Sequence, residues 1–282
     1  ILFLPGDTYS NRMPDPVLQQ VEHFNNPGIT ANDAFKPVTR YFDRITRPEQ
    51  ILNSLPQAIQ TMIDPADCGP ACISLCQDIQ GETYDYPEDF FIEKVHNIRR
   101  PKPDDFQVKE AVEKIKNSKN PIIISGGGVF YSDAMEDLSK FAIKHNIPVT
   151  QTVMGYSTMK RDHSHFLGPI GGLGGKAANN FAKKTDLAIA IGTKLGDFTT
   201  GSWANFENPK FSLVSINVAR FDANKHMSLS VVGDAKVSLN ELSLALGDWK
   251  ASDDWYQKSR KELKSWNEYI DKESGPTNQK LP

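Results

Sequence analysis

Pro121-Ile122-Ile123-Ile124-Ser125-Gly126-Gly127-Gly128 decides the fold. Its first five residues form a short, nearly unbroken apolar run, the pattern of a strand buried on both faces, and such strands belong to parallel sheets covered by helices on either side. Three glycines follow at the point where the chain must turn into a helix. Upstream, Val108, Ala111, Val112 and Ile115 recur at helical spacing; downstream, Leu138, Phe141 and Ala142 do the same, with Asp133 and Glu136 as the expected N-terminal cap. Further strands are expected over 147–152, 186–192, 212–217 and 229–232, and helices near 177–183 and 237–246. This alternation predicts an α/β fold with a doubly wound parallel sheet.

Between residues 80 and 105 the composition shifts to Tyr, Pro, Asp and Glu. The run Arg99-Arg100-Pro101-Lys102-Pro103 should be extended, which reads as an interdomain linker. The preceding stretch is again α/β. Apolar Ile1-Leu2-Phe3-Leu4 stops at Pro5-Gly6, helix-compatible spacing covers 14–24, and Asn25-Asn26-Pro27-Gly28 is a turn. Arg47-Pro48-Glu49 opens a helix with Ile51, Leu52, Leu55, Ile59, Met62 and Ile63 on one face, ended by Asp64-Pro65. Cys68, Cys72 and Cys76 have a spacing that would suit a metal site on a helix, but Gly69-Pro70 breaks any helix there. Ala71–Cys76 reads better as a buried strand with two packing thiols, and unpaired thiols fit a reducing cytoplasm. Near the end, Trp255, Leu263, Trp266 and Ile270 form a helical stripe before Gly275-Pro276; this helix needs a surface, in this domain or in another. The expected division is a first domain over 1–95, a linker over 96–106, a middle domain over 107–250, and a helix with connector over 251–282. The opening run has neither an initiator Met nor a signal-peptide layout, so the chain is expected to be cut within a domain.

The 282 residues carry a net charge of −3 with both signs mixed along the chain, which disfavours nucleic acid and anionic membranes as partners. The longest apolar runs are far below the ~20 residues of a membrane span. Gly126–Gly128 could cradle a phosphate at a helix start, but Tyr131 stands where the dinucleotide fingerprint needs a third small residue, so a tight turn without ligand is an equal alternative. Gly171-Gly172-Leu173-Gly174-Gly175-Lys176 fails as a P-loop: Ile170 replaces the leading glycine, and Ala177 the metal-holding hydroxyl. Asp162, His163 and His165 lack the further donors that a metal or catalytic site requires.

Asn32-Asp33-Ala34-Phe35-Lys36, Gly69–Ile79, Ile122–Gly128 and Asp186–Leu195 resemble, in order and spacing, the thiamine-diphosphate superfamily of decarboxylases and acetohydroxyacid synthases. Tyr41-Phe42-Asp43-Arg44-Ile45, Arg99-Arg100-Pro101, Asp197–Trp203 and Phe221–His226 are most similar to its cyclic-dione hydrolase branch, which serves myo-inositol catabolism. The resemblance implies the later part of a pyrimidine-binding domain followed by a middle α/β domain. The activating glutamate would lie upstream of Ile1, and the Mg²⁺–diphosphate segment downstream of Pro282. It therefore implies thiamine diphosphate and Mg²⁺ as cofactors of a longer parent, a cyclic 1,2-dione as substrate, a homo-oligomer, and no catalytic residue or metal ligand within this stretch. Phe35-Lys36 takes the place of the family's Phe-Gln pair beside the pyrimidine. Gly126, Gly127, Gly128 and Gly192 could admit a pyrophosphate, as in flavin-binding relatives. Asn217 stands where those relatives have carboxylates for ribose, so flavin adenine dinucleotide (FAD) is not expected. An acetohydroxyacid synthase-like enzyme and a non-catalytic nucleotide-binding or scaffold domain are the alternatives.

Overall fold

The computed structural model describes residues 1–11, 23 and 25–274; apart from His23, the helix read over 14–24 lies outside them, as does Gly275-Pro276. The chain separates into two compact units, Ile1–Arg99 and Arg100–Pro282.

In the first unit, β1 (Leu2–Phe3), β2 (Gly6–Asp7), β3 (Tyr41–Ile45) and β4 (Ala71–Cys76) make a parallel sheet. β1 and β2 run in succession along one edge of β4, and β3 runs along the other. α1 (Ile51–Ile63) begins after a 3₁₀ turn at Pro48–Gln50 and stops at Asp64, as its sequence predicts. Gln50 Oε1 accepts the Thr46 and Arg47 N–H groups before the helix, and Asp64 Oδ1 accepts those of Ala66 and Asp67 after it. Ala58 of α1 closes a small core with Ile45, Ala71 and Ile73. Cys72 and Cys76 are buried on β4, Cys68 is exposed, and all three thiols are free.

The second unit is the expected doubly wound sheet. β5 (Pro121–Ser125), β6 (Val149–Gln151), β7 (Phe166–Pro169), β8 (Leu187–Ile191), β9 (Ser212–Asn217) and β10 (Leu229–Val232) lie in the order β10-β9-β8-β5-β6-β7, every pair parallel. The helices are α2 (Asp105–Lys116), α3 (Gly127–Tyr131), α4 (Met135–His145), α5 (Lys176–Ala182), α6 (Asp197–Thr200), α7 (Arg220–Ala223), α8 (Ala235–Leu246) and α9 (Asp253–Glu273). The strand period of two sorts the side chains. Ile123, Leu187, Ile189, Ile191, Val214 and Ile216 join the core of α2, α4 and α8. Ile122, Ile124, Ala188, Ala190 and Leu213 join the core of α5 and α9. The alanines on this second side leave room for Phe181 and Trp255, whose rings stack at 3.9 Å between centroids. The Trp255 indole N–H donates to the Pro121 carbonyl at 2.8 Å, so the first turns of α9 find their surface in this unit.

Two expectations fail locally. Asp133 does not cap α4: the N-cap is Ala134, with no side-chain cap bond. The glycines start a short helix at Gly127, and the chain then reverses through Asp133 at φ 53°, whose carboxylate meets Lys236 at 3.4 Å. β7 was not anticipated, because Phe166-Leu167-Gly168-Pro169 breaks the apolar run with a left-handed glycine and a proline, both of which an edge strand tolerates.

Candidate functional site

Strand order reverses where β5 lies between β8 and β6, the position at which open α/β sheets bind ligands beyond the strands' carboxyl ends. Gly126, Gly128 and Gly192 meet there. The Gly126 N–H donates to the Ile191 carbonyl at 2.9 Å, and the Gly128 N–H to the Gly192 carbonyl at 2.8 Å. A Cβ on Gly126 would stand 2.4 Å from the Gly192 carbonyl oxygen, and one on Gly127 would stand 3.0 Å from that of Met154. Packing between loops alone accounts for these glycines. Two of the three N–H groups that could face a phosphate are bonded within the protein, and α3 is only five residues long.

Asn217 is buried at the end of β9, its amide already engaged. Nδ2 donates to the Thr193 carbonyl at 3.2 Å, and Oδ1 accepts the Ala219 N–H at 3.0 Å, tying the loop after β9 to the loop after β8. Asp234, just after β10, caps α8 by accepting from Lys236 and Val237 and pairs with Arg100 at 3.3 Å. The Asn217 amide and the Asp234 carboxylate are thus both occupied by structural bonds.

Phe35 and Lys36 belong to the first unit, on the 3₁₀ segment Ala31–Val38. Phe35 meets the Phe3 ring edge-on at 4.8 Å; Lys36 pairs with Asp33 at 2.5 Å and sits 5.1 Å above the Phe42 ring. That segment is anchored by a polar cluster that sequence reasoning missed. The Arg44 guanidinium binds Asp7 at 2.7 Å, and Asp33 and Thr30 each at 2.8 Å. Asn32 Nδ2 donates to the Gly6 carbonyl and to Ser74 Oγ, which in turn donates to Asp7. Burial alone would raise the Asp7 pKa, but hydrogen bonds from Ser74, Arg44, the Thr8 N–H and Thr30 outweigh it and hold the carboxyl below its usual range. Asp33 is lowered likewise, against burial, by Lys36, the Thr30 N–H and Arg44. Burial, reinforced by the charges of Asp7 and Asp78, pushes the Cys76 thiol up to about 11, so it is not a nucleophile at neutral pH. A signal was present in Asp33 and Arg44, charged residues inside motifs singled out for other reasons.

His163 and His165 work as a clasp. His165 Nε2 meets Asn146 Oδ1 at 3.2 Å and its ring stacks on Tyr256 of α9 at 4.6 Å; His163 Nε2 bonds Ser139 Oγ at 2.8 Å. Burial, then the charges of His163 and Arg260, lowers the His165 pKa to about 4. Among the described residues no group of three His, Cys, Asp or Glu is placed to hold a metal. The 171–175 glycine loop is a packed turn. Asn179 brackets the Gly171 N–H and carbonyl at 2.9 and 3.0 Å, and a Cβ on Gly175 would stand 2.9 Å from the Trp266 indole nitrogen.

Residues 108–242 match the family model described as thiamine pyrophosphate enzyme, central domain. Over 246 residues the chain is 49% identical to 3D-(3,5/4)-trihydroxycyclohexane-1,2-dione hydrolase of Clostridium perfringens (strain 13 / Type A), covering 87% of this chain and 38% of the relative. Proteins of the same name from Clostridium tetani (45% over 272 residues, 96% and 42% covered) and Bacillus subtilis (47% over 242 residues, 86% and 38% covered) are similar to it as well. The chain spans about two fifths of the length of these curated relatives. All six strands of the doubly wound sheet fall inside the matched stretch, so it is this sheet, over residues 108–242, that is similar to the central domain of thiamine pyrophosphate enzymes.

Proposed function

We propose that the protein is part of a thiamine-diphosphate-dependent hydrolase that opens trihydroxycyclohexane-1,2-dione to 5-deoxyglucuronate in inositol breakdown. The observation that carries this reading is the 45% identity to the Clostridium tetani hydrolase over 272 residues, which extends through both structural units. In this reading residues 1–95 are the later part of a pyrimidine-binding domain and 107–250 the central domain. The free cysteines suit a cytoplasmic enzyme. No helix among the described residues is long and apolar enough to cross a membrane.

Thiamine diphosphate supplies an electron sink for breaking a carbon–carbon bond next to a carbonyl. The described residues do not fit its diphosphate and Mg²⁺: no three-donor group stands together, and the N–H groups of Gly126 and Gly128 at the switch point are bonded within the protein. No catalytic step is assigned to them. Phe35 and Lys36 supply an aromatic and cationic edge that suits contact with a pyrimidine ring, held in place by Arg44 through Asp33. Gly126, Gly127, Gly128, Gly192 and Asn217 build a central-domain scaffold rather than an FAD site. The full-length gene product, given thiamine diphosphate and Mg²⁺, should turn over the cyclic dione and not pyruvate, while the 282-residue chain alone turns over neither. Preference for pyruvate, or cofactor-dependent turnover by the short chain, would overturn the reading.

A further inference from the structure

Between α9, the end of α5 and the residue before β5 the second unit holds a cleft of about 490 Å³. It is separate from the glycine crevice. Asn120 directly precedes β5 and Lys184 stands three residues before β8, so the cleft lies at the amino ends of these strands, whereas Gly126 and Gly192 follow their carboxyl ends.

Its floor is already built. Phe181 and Trp255 are 1% and 3% exposed, their rings are stacked, and the bond from the Trp255 indole to the Pro121 carbonyl fixes the first turns of α9. A preformed cleft of this size falls within the range of small-molecule sites, about 300–1,000 Å³. With so little of either ring reachable, the floor offers edges rather than a stacking face, and recognition falls to the polar lining.

That lining is cationic. Lys184, Lys258 and Lys261 stand around the cleft against a single carboxylate, Glu262. Glu262 is held by Asn180 Nδ2 at 3.2 Å and by Lys184 at 3.5 Å; Lys258 pairs at 2.6 Å with Asp254, which does not line the cleft; Lys261 makes no ion pair among the described residues. The Lys184 and Lys258 side chains are each 61% exposed, and ion pairs so exposed are weak enough for both ammoniums to turn towards a ligand. Residues 258, 261, 262 and 265 share one face of α9, which brings their side chains to the same opening.

Ammoniums are point charges without the fork of a guanidinium, and several together suit a phosphate, whose monoester carries a charge of about −1.5 to −2 at neutral pH. Phosphate alone would leave most of the cleft empty, since a water's share of volume is only about 30 Å³. The remaining groups, the Asn120 amide, the Ser265 hydroxyl and the Glu262 carboxylate, are donors and acceptors for hydroxyls. We propose that this cleft binds a small organic phosphate with a hydroxylated body, its phosphate on Lys184, Lys258 and Lys261 and its hydroxyls on Asn120, Glu262 and Ser265. The inference does not depend on the hydrolase reading, because it uses none of the residues that reading assigns to the cofactor.

Amide NMR of the purified chain during titration with glycerol 3-phosphate tests it. Shifts should saturate over 181–184 and 258–265, with a dissociation constant of about 1 mM or below. Glycerol should not saturate at about ten times that concentration, and inorganic phosphate, which lacks the hydroxylated body, should bind about tenfold more weakly. Lys261→Gln should weaken glycerol 3-phosphate binding by about tenfold or more, as loss of a hydrogen bond to a charged group does. Lys264→Gln makes the same charge change on the same helix at a residue that pairs with Glu268 and does not line the cleft, so it should leave affinity within about twofold. No saturation below about 10 mM, equal affinity for glycerol or for inorganic phosphate, or a Lys264→Gln effect as large as that of Lys261→Gln would each overturn the proposal.

Discussion

Gly128 donates its backbone N–H to the Gly192 carbonyl at 2.8 Å, and a Cβ on either residue would stand 2.6 Å from the Cα of the other. Two strands that are neighbours at the switch point thus have their exit loops fused backbone to backbone. Gly192 also holds φ at 59°, a region side chains rarely adopt. Gly192→Ala should therefore destabilise the second unit by about 2–4 kcal/mol, combining backbone strain with overpacking. Gly196 has nothing near its Cβ position and an ordinary φ of −65°, so Gly196→Ala should be neutral or stabilising by about 0.4–1 kcal/mol. Urea denaturation followed by tryptophan fluorescence reads this unit alone, since Trp203, Trp249, Trp255 and Trp266 all lie in it. Equal midpoints for the two variants would refute the packing account.

The same fusion bears on ligands. With Gly126 and Gly128 bonded to the β8 loop and the Asn217 amide bonded at both ends, a flavin dinucleotide meets few free donors and no free ribose acceptor among these groups. A flavin titration followed by fluorescence or calorimetry should give no stoichiometric binding at low micromolar concentration. A dissociation constant of about a micromolar or below would show that the loops reopen.

How much of this was legible in the sequence differs by level. The parallel sheet was, because Ile122, Ile123 and Ile124 serve both cores and so read as an unbroken apolar run. The glycines were legible as a turn but not as a lock, since their partner Gly192 lies 64 residues beyond Gly128 and only the fold brings the two together. Asn217 was read from its residue type, whereas its bonds to Thr193 and Ala219 depend on how two loops meet. The Arg44 cluster escaped notice for the same reason: Asp7, Asp33 and Ser74 come from three separate segments.

That cluster gives a prediction for the first unit. Arg44 is the cation shared by Asp7 and Asp33, and the Asp7 side chain is only 2% exposed. Arg44→Met should leave Asp7 charged and poorly compensated, at a cost of about 3–5 kcal/mol; adding Asp7→Asn should recover part of it. Both carboxyls are held below their usual range, so the stability they contribute is complete above an unfolded-state pKa of about 4 and is lost as pH falls below it. Hydrogen exchange of the β3 and β4 amides is the appropriate measurement. The proposed role of Arg44 fails if Arg44→Met leaves their protection intact.

His165 gives the second unit a different acid response. The ring is buried between Asn146, Ser164 and Tyr256, and burial, then the positive charges of His163 and Arg260, lowers its pKa to about 4. His163 is lowered in the same direction by burial and Arg260, with Asp162 opposing, and His145 by burial and the charges of Lys144 and Lys250 against its bond to the Trp249 carbonyl. In the unfolded chain each imidazole takes a proton near pH 6.5, so between that value and the lower native one the unfolded state holds more protons. The stabilisation is complete above about pH 6.5 and is lost progressively as pH falls towards about 4. For His165 the loss between about pH 7 and pH 5 should be on the order of 2 kcal/mol. His165→Gln keeps a hydrogen-bonding side chain but cannot titrate, so its urea midpoint should fall less over that interval than that of the unmodified protein. Trp255, beside Tyr256 at the start of α9, makes fluorescence a direct readout of whether this helix stays docked. If His165→Gln retains the full pH dependence, the acid sensitivity lies elsewhere and the clasp is not its source.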